Sequence, residues 1–383
     1  MYPRDTGVWI SPTKFAAGGP VKISPTVEQV IREPAGPATG FDYLRVMLAL
    51  GVLLVHVAVI ADHAFWVELW TTWFGPIERA ILPAFFSLSG FLVAGSLLRN
   101  SIPRFLTLRV LRIFPALAVE VILSAILMGL AFTKLRWIDY LAAPEFRAYF
   151  LNIAGDVHFT LPGVFGGRKL NEQLWTIPYE LECYLVLTAL ALVALVRRKD
   201  IFALILITAT LTVTAMAVKL DLIQEGWNVP PRVMVIAFLY GVLGYLYRER
   251  LPHSRVLFAF SLAASYAGLY WPNFVYFAAM PLTYVIIYVG VLRWPKMPFG
   301  DLSYGIYLFH YPLAVCIHEL SGRAMPWPVL LPLTIVSSAA AAWLSWTFVE
   351  KPILDRKSAI TGAVDAALKW PLRRRSRRAA ARA

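Results

Sequence analysis

Charge is scarce in this chain. Only 15% of the 383 residues are Asp, Glu, Lys or Arg, against about 25% in an ordinary soluble domain. With 59% hydrophobic residues and a mean hydropathy of +0.63, a typical water-soluble globule is excluded. A disordered chain is excluded too, because disorder requires weak hydrophobicity and high net charge. Cysteine is scarcer still. Cys183 and Cys316 both lie in apolar runs, which excludes a disulfide scaffold or a multi-cysteine zinc site. No group of His, Cys and carboxylates has ligand spacing, so no metal is expected. There is no repeat of fixed period and no Gly-x-Ser-x-Gly elbow of the hydrolase type. Residues 1–40 lack an apolar core, so they do not read as a cleavable leader. They read as a flexible cytoplasmic extension.

What the chain does have is long apolar runs. Ten are long enough to cross a bilayer, which takes roughly 17–25 residues: Leu44–Ala61, Ala80–Leu98, Ile113–Thr133, Pro178–Val196, Ile201–Val218, Arg232–Tyr247, Val256–Trp271, Asn273–Leu292, Ser303–Leu320 and Val329–Phe348. The seventh and eighth are separated only around Pro272, which predicts a tight helical hairpin. A β-barrel would alternate apolar and polar residues, whereas these runs are continuously apolar. The expected fold class is all-α: a polytopic integral membrane protein of ten transmembrane helices.

The net charge of +13 is lopsided. Counting alternate connections, 27 of the 36 Lys and Arg residues fall on one side and 9 on the other. The positive-inside rule makes the rich side cytoplasmic, and with ten spans both termini lie there. The basic tail over 353–383, with its Arg373–Arg378 run, reads as a topology anchor touching anionic lipid rather than as a nucleic-acid site. The membrane domain is expected over 41–352. Residues 134–177 form the longest connection, on the opposite side. Connections of that length are usually functional or disordered, and this one is the natural place for substrate contacts.

Ionisable groups inside spans mark function by default. His56 lies deep in the first run, Glu120 in the third, Glu180 and Glu182 near the outer start of the fourth, and His310 in the ninth. Arg45 and His56 are eleven positions apart, which puts them on one helix face about 16 Å apart along the axis. Asp42 falls on the same side. A cation at the cytoplasmic end and an imidazole deep inside suit a reaction whose substrates arrive from opposite faces. Arg99, Arg104, Arg109 and Arg112 sit in the 99–112 connection with no acid among them, which suits a polyphosphate such as coenzyme A. Positive-inside charge alone would also explain them. Arg109 and Arg112 share one helix face, which favours a ligand. Ser87 and Ser89 read as small packing residues, and His310 as a histidine satisfied by the tyrosines around it. His63 is a weaker candidate at the outer end.

Five segments in order carry a family resemblance. They are Phe41-Asp42-Tyr43-Leu44-Arg45 with His56, Phe85–Phe91 with Arg109–Pro115, Trp175–Glu180 with Tyr184, Ser303–Pro312, and Phe348–Pro352. Together they resemble the membrane-bound acyltransferase-3 family, of the polysaccharide O-acetyltransferase type. Tyr43 and Val46 stand where the family's opening motif has glycines, and Pro178 where serine is common. The resemblance implies acyl transfer from cytoplasmic acyl-coenzyme A, most commonly acetyl-CoA, to a hydroxyl of a glycan or similar acceptor. It implies that His56 is the catalytic residue, and that Arg45 and the Arg109/Arg112 pair contact the donor, with Asp42 beside them. Glu180 is a candidate to orient the imidazole. The expected setting is a bacterial inner membrane. A transporter or flippase, and a non-catalytic partner in glycan synthesis, remain as alternatives from other functional classes.

Overall fold

The computed structural model describes residues 24–34, 36, 38–223, 229–297 and 301–380, and side chains as far as residue 368. Among these the protein is all-α. The helices are α1 (Val27–Arg32), α2 (Gly40–Ala61), α3 (His63–Trp70), α4 (Gly75–Arg99), α5 (Ile102–Leu123), α6 (Gly129–Phe132), α7 (Trp137–Ala142), α8 (Pro144–Tyr149), α9 (Ile177–Leu192), α10 (Lys199–Leu220), α11 (Pro231–Leu246), α12 (Arg255–Tyr270), α13 (Val275–Gly290), α14 (Ser303–Leu320), α15 (Trp327–Ser345), α16 (Lys351–Asp355) and α17 (Lys357–Ala380). Each of the ten apolar runs falls on helix. Six helical stretches among the described residues are long and apolar enough to cross a membrane: Gly40–Ala61, Gly75–Arg99, Ile102–Phe132, Lys199–Leu220, Pro272–Gly290 and Trp327–Asp355. Shorter apolar helices accompany them, including Pro231–Leu246 and Arg255–Tyr270. The chain is a multi-pass membrane protein by this helix composition. Large apolar side chains cover its outer faces, such as Val256 (80% exposed) and Phe260 (71%) on α12. Such surface is stable against lipid and not against water.

The helices pack through small residues. The most extensive pair is α4 with α11. A Cβ on Gly90 of α4 would lie 2.0 Å from the Phe238 carbonyl oxygen, and one on Gly241 of α11 would lie 2.1 Å from that of Ser87. In lipid the association is driven by such close contact and not by water exclusion. Hydroxyls inside the helices are satisfied locally. Thr188, Thr210, Thr214, Thr283 and Thr334 each donate to the carbonyl four residues earlier.

Several elements differ from expectation. The 99–112 connection is mostly helix: α5 begins at Ile102, with Pro103 in its first turn, so Arg104, Arg109 and Arg112 ride on a helix. Proline at that place lacks only an N–H that would be unpaired anyway. The part of the N-terminal extension that is described is not loose. Thr26 and Gln29 form a capping box that starts α1. Glu28 pairs with Arg248, and Arg293 with Glu33, tying α1 to the bundle. Residues 1–23 lie outside the described residues. The start of α17 packs on α5, with Thr361 fully buried. The side chains of Arg373–Arg378 lie outside the described residues.

The 134–177 segment is neither extended nor loose. It carries α7, α8 and 3-10 turns at Phe150–Ala154, Phe165–Gly167 and Glu172–Thr176. Tyr140, Tyr149, Leu161, Leu170 and Leu174 anchor it by burial. Pro312 inside α14 has no N–H for the Leu308 carbonyl, and Gln173 of this segment donates to that oxygen at 2.7 Å. The seventh and eighth runs form the expected hairpin, α12 and α13 joined through Pro272–Phe274.

Replacing Gly90 by Ala is expected to cost about 1–3 kcal/mol through overpacking of α4 on α11. Gly362→Ala, where a Cβ meets nothing within 4 Å, is expected to be neutral. Thermal unfolding of detergent-solubilised protein measures both, and an unshifted Gly90→Ala midpoint would contradict the close packing.

Candidate functional site: a cation-lined cavity beside a histidine pair

One cavity of about 160 Å³ lies between α2, α4, α5, α9 and α14. Arg45, Arg109 and Arg112 line it, with Glu180, Tyr184 and Ser303 among the polar walls. Phe85, Phe86, Leu82 and Tyr307 form apolar walls. Three cations meet there because α2 presents Arg45, and α5 presents Arg109 and Arg112, at one end of the cavity.

The cations differ in their partners. Arg45 lies 3.1 Å and Arg112 closer still to the Oδ2 of Asp301, which bridges them. Ser303 donates to the other oxygen of Asp301 at 2.5 Å. Arg112 also faces Glu350 at 3.8 Å, a buried carboxylate that accepts from Ser345. Arg109 has no ion pair or hydrogen bond among the described residues. Its guanidinium sits about 6 Å from the rings of Phe105 and Tyr184, and its Nε is buried without a partner. A cation held by ring faces, with no direct ion pair, is available to a phosphate. Burial pushes the Asp301 carboxyl up, but the Arg112 and Arg45 guanidiniums outweigh it and hold the group below the ordinary aspartate range.

Further along α2, His56 stacks on His310 with ring centroids 5.0 Å apart. His56 Nδ1 lies 2.8 Å from His310 Nε2. His310 Nδ1 lies 2.7 Å from the Tyr307 carbonyl oxygen. Tyr311 meets His56 edge-on at 5.1 Å and donates its hydroxyl to Glu172 of the 134–177 segment. Tyr307 both lines the cavity and lies beside His310, with centroids 6.0 Å apart, so it separates the two halves of the site.

The sequence candidates are brought together in part. Arg45, Arg109, Arg112 and Glu180 share the cavity. Asp42 does not line it; half-exposed, it lies 3.6 Å from Arg45. Glu180 makes no hydrogen bond to either histidine of the pair and instead accepts from Tyr184 at 2.6 Å. The tyrosine-rich segment around His310 satisfies its Nδ1 through the Tyr307 and Ile306 carbonyls, and His56 meets its Nε2. Ser87 is a packing residue, bonded to Thr283 at 2.8 Å. His63 opens α3, a separate helix. Sequence reasoning missed Asp301, Glu350, Glu172 and Tyr311. Glu350 and Tyr311 lay within quoted motifs, but nothing local said that their partners were Arg112 and Glu172. Among the described residues no group of three His, Cys, Asp or Glu could hold a metal ion.

A helical, multi-pass membrane protein with a cation-lined cavity next to a stacked imidazole pair is thereby defined. The chain belongs to the acyltransferase-3 family, whose profile, described as an acyltransferase domain, matches residues 39–347. It is similar to the O-acetyl transferase of Shigella phage Sf6, 28% identical over 332 residues, covering 83% of this chain and 96% of that protein. It is also similar to Nodulation protein 10 of Rhizobium leguminosarum bv. viciae, 29% identical over 367 residues, covering 85% and 96%. No solved structure matches.

A carboxylate with a depressed folded value stabilises the protein above its unfolded value, and that contribution is lost as pH falls through the folded one. Asp301→Asn is therefore expected to lower the melting temperature at neutral pH, by the equivalent of about 1–3 kcal/mol for lost charge-assisted bonds. The gap from wild type should close as pH drops below the ordinary aspartate value of about 3.9. A gap that is constant across a pH series of melting curves would show that the bridge contributes nothing.

Proposed function

We propose that this acyltransferase is an O-acetyltransferase that moves an acetyl group from cytoplasmic acetyl-CoA to a hydroxyl of a cell-surface or exported glycan. The observation that carries the reading is Arg109, an unpaired cation facing a cavity that also holds Arg45 and Arg112, with His56 farther along the helix that bears Arg45. The name of one relative, the O-acetyl transferase of Shigella phage Sf6, supports acetyl transfer. In this reading the membrane domain over 41–352 has ten spans, both termini are cytoplasmic, and the arginine end faces the cytoplasm of a bacterial inner membrane. The Lys and Arg bias and the occurrence of the relatives in a bacterium and a phage support that setting.

The donor's phosphates would meet Arg45, Arg109 and Arg112, which replace water around them. Anionic phosphate would compete with the Asp301 carboxylate for Arg45 and Arg112. The narrow cavity suits the thioester arm and not the nucleotide. The acceptor would come from the opposite side, under the 134–177 segment, where Glu172 and Tyr311 lie next to His56. His56 takes the proton of the acceptor hydroxyl as its oxygen bonds to the acyl carbon. The C–S bond breaks, and the leaving thiolate takes the proton back from His56. Glu180 would act on the donor side through Tyr184 and the arginines, and not on the imidazole. Asp42 would steady Arg45.

Membranes containing the protein, given labelled acetyl-CoA and their native glycan, should transfer label. His56→Ala is expected to lose about 10²–10⁴-fold in kcat at unchanged protein level. Arg109→Ala is expected to raise the KM for acetyl-CoA about tenfold or more, the worth of a lost charge-assisted contact. Wild-type rates in His56→Ala would sink the assignment. Label held on the protein in the absence of acceptor would show that the imidazole is itself acylated on the way.

A further inference from the structure

The two ring nitrogens of His310 face partners of different kinds. Its Nδ1 points at the carbonyl oxygens of Tyr307 and Ile306, 2.7 and 3.2 Å away. A carbonyl can only accept, so the proton sits on Nδ1. The Nε2 of neutral His310 is then a lone pair, and it lies 2.8 Å from His56 Nδ1. Only a protonated His56 Nδ1 satisfies that contact. The lone pair of neutral His56 must therefore be on its Nε2. That nitrogen has no hydrogen-bond partner among the described residues, and it is not among the buried atoms without one, so it stays accessible.

The surroundings enforce this order. His310 is fully buried. Tyr311 meets His56 edge-on, with its hydroxyl turned away to Glu172. Tyr307 lies beside His310, with its hydroxyl taken up by Thr176 and Gln173. No carboxylate, Lys or Arg bonds either ring of the pair among the described residues.

We propose that His310 is a positioning residue. The Tyr307 carbonyl fixes the tautomer of His310, and His310 fixes that of His56, so that the Nε2 lone pair is aimed at the reacting hydroxyl. This rests on the reading of His56 as the residue that takes the proton. When His56 Nε2 gains that proton, its Nδ1–H stays on His56 and the bond to His310 Nε2 becomes charge-assisted. No proton passes to His310. The carboxylate of a Ser-His-Asp triad holds its imidazole in the same way. Here a neutral ring does so, and a neutral ring is far less costly than a carboxylate inside an apolar bundle.

Two experiments test the relay. The first reads the tautomer whether or not acyl transfer is the reaction. Ring-nitrogen NMR of histidine-labelled wild-type protein, assigned through His56→Asn and His310→Gln, is expected to show both rings protonated on Nδ1 and bare on Nε2. A His56 protonated on Nε2 overturns the proposal. The second is kinetic. His310→Leu removes both bonds and is expected to lose on the order of 10²-fold in kcat with the KM for acetyl-CoA unchanged. His310→Gln keeps a donor for the carbonyl and an acceptor for His56, and is expected to recover most of that loss. Unchanged kcat in His310→Leu, or equal loss in both variants, overturns it. If wild-type protein transfers no acetyl group, the proposed function fails while the NMR result still decides the relay.

Discussion

Polar groups inside an apolar bundle must be paired, and the rest of this structure depends on how that demand is met. Most are paired within their own helix, as the threonines are with carbonyls one turn back. Others are paired across elements: Asn171 and Ser124 both donate to the fully buried Glu120, and Gln173 takes the carbonyl that Pro312 leaves open. These bonds do more than satisfy atoms. They pin the 134–177 segment to α5 and α14, and so fix what stands next to His56. Against that background the unpaired atoms carry information. Arg109 and the Nε2 of His56 are left without partners on opposite sides of Tyr307.

The two ends of the site follow different electrostatic logic. At the arginine end, two of the cations share one carboxylate, Asp301, which partly neutralises them inside the protein. At the histidine end there is no fixed charge on either ring's hydrogen bonds. A neutral pair backed by a main-chain carbonyl avoids the desolvation cost of a buried ion. The cavity at the arginine end is walled mostly by apolar and aromatic side chains, and Tyr307 stands between it and the histidine pair.

Much of this was legible in the sequence, for a physical reason. Helix periodicity and apolar run length are local, so α2, α4, α10 and the α12–α13 hairpin were readable from composition, and so was the common face of Arg45 and His56. Motif order pointed to the family. Boundaries were less readable. The basic residues of α5 looked like a connection because a run of arginines breaks the apolar pattern, yet helix continues through them. Glu180 looked like a partner for an imidazole because both are ionisable and both lie in spans. Which of them meet depends on helix rotation and depth, and Glu180 meets Tyr184.

The sequence by itself determined the class of fold, the membrane setting of its helices, the family, and the residues worth asking about. Each of those rests on spacing within one segment or on motif order. The tertiary structure alone decided the partners. Asp301 reaches Arg45 and Arg112 across more than 180 residues of chain, and His310 reaches His56 across 254. No local pattern encodes such contacts. They exist because α14 packs against both α2 and α5.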